Sequence, residues 1–179
     1  ETSRNSGCES RGVCGKDEET ANLQDLLLYV LKGISVACGA SGGTDRKTGR
    51  FVVDGLFSTI TNANFDKARF RALIAEGLVI RDQLKQEHGL NGELHDCAGW
   101  SPDSGDDYLP KAETVGVLST ENEDVRSLRE LLVYGCKGIA AYAHHASRLG
   151  AEDDEIYGKL TDYLASTTQE LSVDEMIGK

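Results

Sequence analysis

Apolar residues recur along this chain with a helical period, and twice they do so in nearly the same words. In Leu23–Cys38, "LQDLLLYVLKGISVAC", residues Leu23, Leu26, Leu27, Val30, Leu31, Ile34 and Ala37 keep the spacing of one helix face. Around Leu128–Ala143, "LRELLVYGCKGIAAYA", a similar stripe is traced by Val125, Leu128, Leu131, Leu132, Cys136, Ile139 and Ala143. At a constant offset of 105 residues, leucines match at 23/128, 26/131 and 27/132, and Tyr29/Tyr134, Lys32/Lys137, Gly33/Gly138 and Ile34/Ile139 match as well. A shared Tyr-x-x-Lys-Gly-Ile predicts a duplicated helical unit. Asp17 is placed to cap the first helix, and Thr120 with Glu123 to form a capping box for the second. Gly33 and Gly138 each cost a helix about 1 kcal/mol relative to Ala. They are expected to mark close helix–helix approach at equivalent places in the two copies.

The remaining pattern extends each copy. "GASGGTDRKTG", Gly39 to Gly49, reads as a loop, followed by helical segments over Phe51–Asn62 and Phe65–His88 with a turn at Asn64–Phe65–Asp66. The second copy offers Asp153–Thr168 after a turn at Gly150–Ala151, and a further helix starting near Ser172. Nothing alternates as strand–helix–strand units do. The expectation is an all-α fold: a cysteine-containing segment at 1–16, a three-helix-bundle unit at 17–90, an irregular linker at 91–116, and a second, incomplete unit at 117–179. The linker holds Trp100, Pro102 and Pro110 and is expected to pack across the two units. The chain starts without methionine and stops inside a helical pattern, which suggests a piece of something longer.

Composition narrows the function classes. With 179 residues, 39% hydrophobic and 27% charged, the chain can bury a core without staples. A net charge of −11 repels phosphate backbones and anionic lipid, so neither nucleic acid nor a membrane is expected as partner. No apolar stretch looks close to the roughly 20 residues that span a bilayer, and "ETSRNSGCES" has no signal-peptide core. Five cysteines, an odd count, cannot all pair within the chain, so a reducing cytoplasm is expected.

Two of those cysteines, Cys8 and Cys14, sit in "SGCESRGVCGKDEET" at the mouth of the first helix. Metal ligation, a Cys8–Cys14 disulfide and idle thiols are all open readings. Gly7, Gly12 and Gly15 would let backbone close around a metal centre, Arg4, Arg11 and Lys16 would offset thiolate charge, and the helix mouth lowers thiol pKa values. Cys38 and Cys136 read as small core residues. Cys97 with His95 and His88 is the other spacing that zinc could use. His144 and His145 diverge on a helix and read as surface or interface residues. No phosphate loop, nucleophile elbow or His-Glu-x-x-His is present, and no residue is singled out as catalytic.

Four stretches together resemble a known family: "GCESRGVCGKDEETANLQDLLLYVLKGI", "GLFSTITNANFDKARF", "STENEDVRSLRELLVYGCKGIAAYAHHASRLG" and "ASTTQELSVDEM". They are similar to the N-terminal helical region of hybrid cluster proteins, also called prismane proteins or hydroxylamine reductases. The resemblance covers nearly the whole chain apart from the linker around Cys97 to Tyr108. That family opens with Cys-x2-Cys-x8-Cys-x5-Cys, whose third and fourth cysteines match Cys8 and Cys14, and the first two would precede Glu1. The x5 spacing resembles the anaerobe-type members, which carry a [4Fe–4S] cluster there. The resemblance implies an oxidoreductase acting on small nitrogen compounds, with Cys8 and Cys14 as two cluster ligands in an electron-transfer, scaffolding segment. A hybrid iron–sulfur–oxygen cluster would lie outside this chain, in later α/β domains, and Cys38, Cys97 and Cys136 match no ligand. An electron-donor redox protein and a homodimer are further implied partners. The competing readings are a non-enzymatic helical interaction module without a cluster, and a redox-sensing Cys8/Cys14 dithiol.

Overall fold

The computed structural model describes residues 14–178, and every regular element among them is helical. In order these are α1 (Glu18–Ser41), α2 (Arg46–Ser58), α3 (Lys67–Glu87), α4 (Asp96–Gly99), α5 (Tyr108–Val115), α6 (Glu123–Arg148), α7 (Asp154–Ser166) and α8 (Val173–Ile177). Short 3-10 turns at Gly105–Asp107 and Val117–Ser119 flank α5.

Side-chain caps explain where most helices begin. Asp17 Oδ1 accepts from Thr20 N at 2.9 Å and from Thr20 Oγ1 at 2.6 Å, as expected. Asp45 caps α2 early, accepting from Lys47 N and Thr48 N. The expected eleven-residue loop therefore shrinks to positions 42–45, with α1 running on to Ser41. Asp66 caps α3 at the predicted turn, and Ser172 with Glu175 forms a capping box for α8. The start of α6 departs from expectation. Asn122, not Thr120, is its cap, accepting from Val125 N at 3.0 Å. Thr120 is engaged instead by arginine, its carbonyl by Arg126 at 3.1 Å and its hydroxyl by Arg129 at 3.3 Å.

The centre of the molecule is α1. Leu23, Leu26, Leu27, Val30, Leu31 and Ile34 are all 0% exposed, enclosed by α2, α3, α4, α5 and α7. By length and composition α1 could cross a membrane, contrary to the reading from its sequence, but it is the core helix of this fold. One continuous core runs from α1–α3 into α6 and α7.

The second copy sits differently. α6 rests on α2, α7 and α8, and its buried apolar residues are Val133, Cys136 and Ala140. The predicted stripe is thus partly wrong: Cys136 points inward, but Leu131 is 69% and Ile139 43% exposed. Contacts with α2 set that rotation. The His144 ring stacks on Phe57 with centroids 4.3 Å apart, and its Nδ1 lies 2.7 Å from Asp54 Oδ1.

The paired glycines also part company. A Cβ on Gly33 would run into the Cys97 carbonyl and come within 3.3 Å of Arg81 Cδ. The close approach is to the backbone of α4 as well as to a neighbouring helix. A Cβ on Gly138 would meet nothing within 4 Å, so the expected packing there is absent among the described residues. Segment 91–116 is more regular than expected, containing α4 and α5. It lies against α1 and is hydrogen-bonded to α3, where Lys85 Nζ donates to Ala98 O at 2.8 Å.

Candidate functional site

Cys14 stands just before the capped mouth of α1, and Gly15, at φ +95°, turns the chain between the thiol and the helix. That mouth is clamped to α3. Lys67 Nζ reaches Asp17 at 2.6 Å and Glu19 at 2.9 Å, and Arg71 reaches Glu19 at 3.0 Å. These bonds hold both carboxyls below the usual carboxylate range: Lys67 chiefly, then Thr20 for Asp17 and Arg71 for Glu19. A depressed carboxyl pKa gives stability that is full above the unfolded value and is lost as pH falls toward the folded one. Lys67→Met should therefore lower the melting temperature at neutral pH, and the gap to the unsubstituted chain should close as pH drops below about 4. A gap independent of pH would show that the clamp works through packing alone.

Beside Cys14 opens a cavity of about 540 Å³, between the start of α1, the turn after α2 and the outer side of α6. Its chemistry is one-sided. Lys16, Lys137 and His145 line it, and no carboxylate does among the described residues. Lys16 is buried, donates to Gln24 Oε1 at 2.6 Å and lies 5.6 and 5.7 Å from the Phe65 and Phe70 ring centroids. Lys137 is also buried, 5.0 Å over the Tyr134 ring. Lysines held beside a thiol suit an anionic, thiolate-ligated cluster. The described part of the site fits such a group. Cys8 lies outside the described residues.

The other cysteines behave as core. Cys38, Cys97 and Cys136 are at most 1% exposed, whereas Cys14 is a partly exposed free thiol. Burial pushes all three thiols up, Cys97 to about 12 and Cys136 to about 11, so each stays protonated. His95 Nδ1 is 3.0 Å from Cys97 Sγ and accepts from Cys97 N at 3.2 Å, but no group of three metal-ligating side chains forms among the described residues.

Residues of both copies of the repeated Tyr-x-x-Lys-Gly-Ile line cavities. Its second copy puts Tyr134, Lys137 and Gly138 on the wall of the Cys14 cavity. Its first copy puts Tyr29 and Lys32 on a cavity of about 480 Å³ with His95, Cys97, Arg126 and Arg129. Burial lowers the Lys32 pKa there. That cavity also has Asp25, Asp96, Glu130 and Glu170 on its walls, so charges of both signs line it.

The described residues thus form an all-helical scaffold with a partly exposed cysteine at a helix mouth and a lysine-lined cavity beside it. The Prismane/CO dehydrogenase family model matches residues 2–178, and the chain belongs to that family. It is 52% identical over 186 residues to a hydroxylamine reductase of Desulfitobacterium hafniense, covering 99% of this chain and 34% of that protein. A hydroxylamine reductase of Nitratidesulfovibrio vulgaris is also 52% identical, over 190 residues, again with 99% and 34% covered. One from Parabacteroides distasonis is 48% identical over 176 residues, with 94% and 32% covered. The chain spans about a third of the length of these curated relatives.

Proposed function

We propose that this chain is the helical, cluster-bearing part of a cytoplasmic hybrid-cluster oxidoreductase that reduces hydroxylamine or a related small nitrogen compound. Cys8 and Cys14 supply two of the four thiolates of a [4Fe–4S] cluster, the other two coming from outside this chain. When bound, that cluster supplies one-electron transfer between a donor redox protein and the catalytic centre, a hybrid cluster in the remaining α/β domains. Cys14 holds iron at the helix mouth, and Lys16 and Lys137 balance the charge that thiolates bring. The α1–α3 clamp fixes the mouth, and the helical core presents it to the rest of the polypeptide. The partly exposed Cys14 at the capped mouth of α1, beside a cavity lined by Lys16 and Lys137, carries this reading. Free thiols at Cys14, Cys38, Cys97 and Cys136 accord with a reducing compartment.

The test is iron and acid-labile sulfide per chain, with an EPR spectrum, on the full-length polypeptide purified without oxygen. Cys14→Ser should remove about four irons and the cluster's signal while leaving the hybrid-cluster signal in place. Unchanged iron in Cys14→Ser would refute the ligand assignment. An iron-free, well-folded full-length protein would leave a helical interaction module.

A further inference from the structure

Lys32, the lysine of the first Tyr-x-x-Lys-Gly-Ile, lines the cavity of about 480 Å³ between α1, the α4–α5 segment and α6. Its counterpart Lys137 rests over the ring of its own tyrosine, Tyr134, at 5.0 Å. Lys32 has no such place. The Tyr29 ring is taken by Lys111, whose Nζ stands 4.9 Å from its centroid. Lys32 donates no hydrogen bond and makes no ion pair among the described residues. Burial, helped by the charge of Arg129, lowers its pKa against the pull of Glu130 and Asp25. An amino group taken from water without a partner is unfavourable.

Two more donors stand on the same walls. Arg129 Nε is buried and makes no hydrogen bond, while the rest of that guanidinium reaches Thr120 Oγ1 at 3.3 Å and Gln169 O at 2.9 Å. His95, at the mouth, accepts from Cys97 N through Nδ1. Burial lowers its pKa, so the neutral ring carries its proton on Nε2. The acids nearby do not supply the missing acceptors. Asp96 takes the Tyr29 hydroxyl at 2.5 Å and Lys111 Nζ at 2.8 Å. Asp25 and Glu130 are engaged elsewhere, and Glu170 is exposed. The cavity is short of acceptors and not of charge. Buried donors in native structures ordinarily find a partner, whether protein, water or ion.

We propose that this cavity binds a small carboxylate, whose oxygens accept from Lys32 Nζ and His95 Nε2 while Arg129 adds its charge. Hydrogen bonds between an ammonium and a carboxylate are among the stronger ones. A single negative charge suits the site better than a phosphate dianion, which would meet twice the repulsion from Asp25, Asp96, Glu130 and Glu170. The inference does not rest on the cluster, because this cavity and the one beside Cys14 share no lining residue.

The test titrates carbon-13-labelled acetate into the full-length polypeptide under NMR, with inorganic phosphate titrated in parallel. Acetate binding should saturate, and Lys32→Met should weaken it at least about tenfold. Lys47→Met, which removes an exposed lysine, should leave it unchanged. Phosphate should bind at least about tenfold more weakly than acetate. Acetate should also raise the melting temperature of the unsubstituted protein and not that of Lys32→Met. Without acetate, Lys32→Met should melt no lower than the unsubstituted protein. A lysine whose folded pKa lies below its unfolded value costs stability at neutral pH, and the substitution removes that cost. No saturable binding, equal weakening by Lys32→Met and Lys47→Met, phosphate bound as tightly as acetate, or a lower melting temperature in Lys32→Met would each overturn the proposal. Iron content of the same preparation reports on the cluster separately.

Discussion

Gly33→Ala should destabilise the 179-residue chain by about 2 kcal/mol, whereas Gly138→Ala should stabilise it by up to about 1 kcal/mol. The sequence treats the two positions as equivalent. At Gly33 the new methyl meets the Cys97 carbonyl, with the carbonyl carbon 2.8 Å away. Backbone held on both sides cannot swing aside as a side-chain tip can. Overpacking of about 3 kcal/mol is set against a gain of about 1 kcal/mol in helix propensity. At Gly138 nothing lies within 4 Å, so only the propensity gain remains. Urea titrations followed by circular dichroism would measure both. Equal effects would mean that α4 does not lie against α1 as described.

Those glycines also show what could be read from the sequence and what could not. Helix type and order were legible, because apolar spacing and aspartate or serine caps are local signals. Asp17, Asp66 and Ser172 all sit where their helices begin. Which way a helix faces is not local. Leu131 and Ile139 share the pattern of Leu26 and Ile34, yet they differ from them by 69% and 43% in exposure, because α6 leans on α2 through His144. The 91–116 stretch read as irregular because α4 is only four residues long and carries no periodicity. Of the candidate site, Cys14 and Lys16 were legible from spacing and charge. Lys137 reached the same cavity only through the tertiary fold, from 123 positions along the chain.

Arg81 was invisible to pattern reading, and its removal should produce the largest loss of stability in the chain. It lies on a helix whose other basic residues are half-buried or exposed, yet it is 0% exposed. Its guanidinium donates to Cys97 O at 3.1 Å, Trp100 O at 2.6 Å, Ser101 Oγ at 3.2 Å and Asp82 Oδ1 at 2.8 Å. One side chain thus satisfies the backbone of a segment that has almost no helix of its own. Arg81→Met keeps the volume and removes every donor, leaving two carbonyls without a partner in the interior. Losing one side of a buried charged network costs about 3–5 kcal/mol, a large share of the 5–15 kcal/mol typical of a whole domain. Arg81→Lys should recover little, since a point ammonium cannot reach three separated acceptors as a fork does. Trp100, the chain's one tryptophan, is a built-in reporter. It packs edge-on to Tyr29 with centroids 6.1 Å apart, so its emission should shift to the red in Arg81→Met at urea concentrations where α1 is still helical. Coincident loss of tryptophan signal and helicity, at the stability of the unsubstituted chain, would show that the segment is held by packing and not by Arg81.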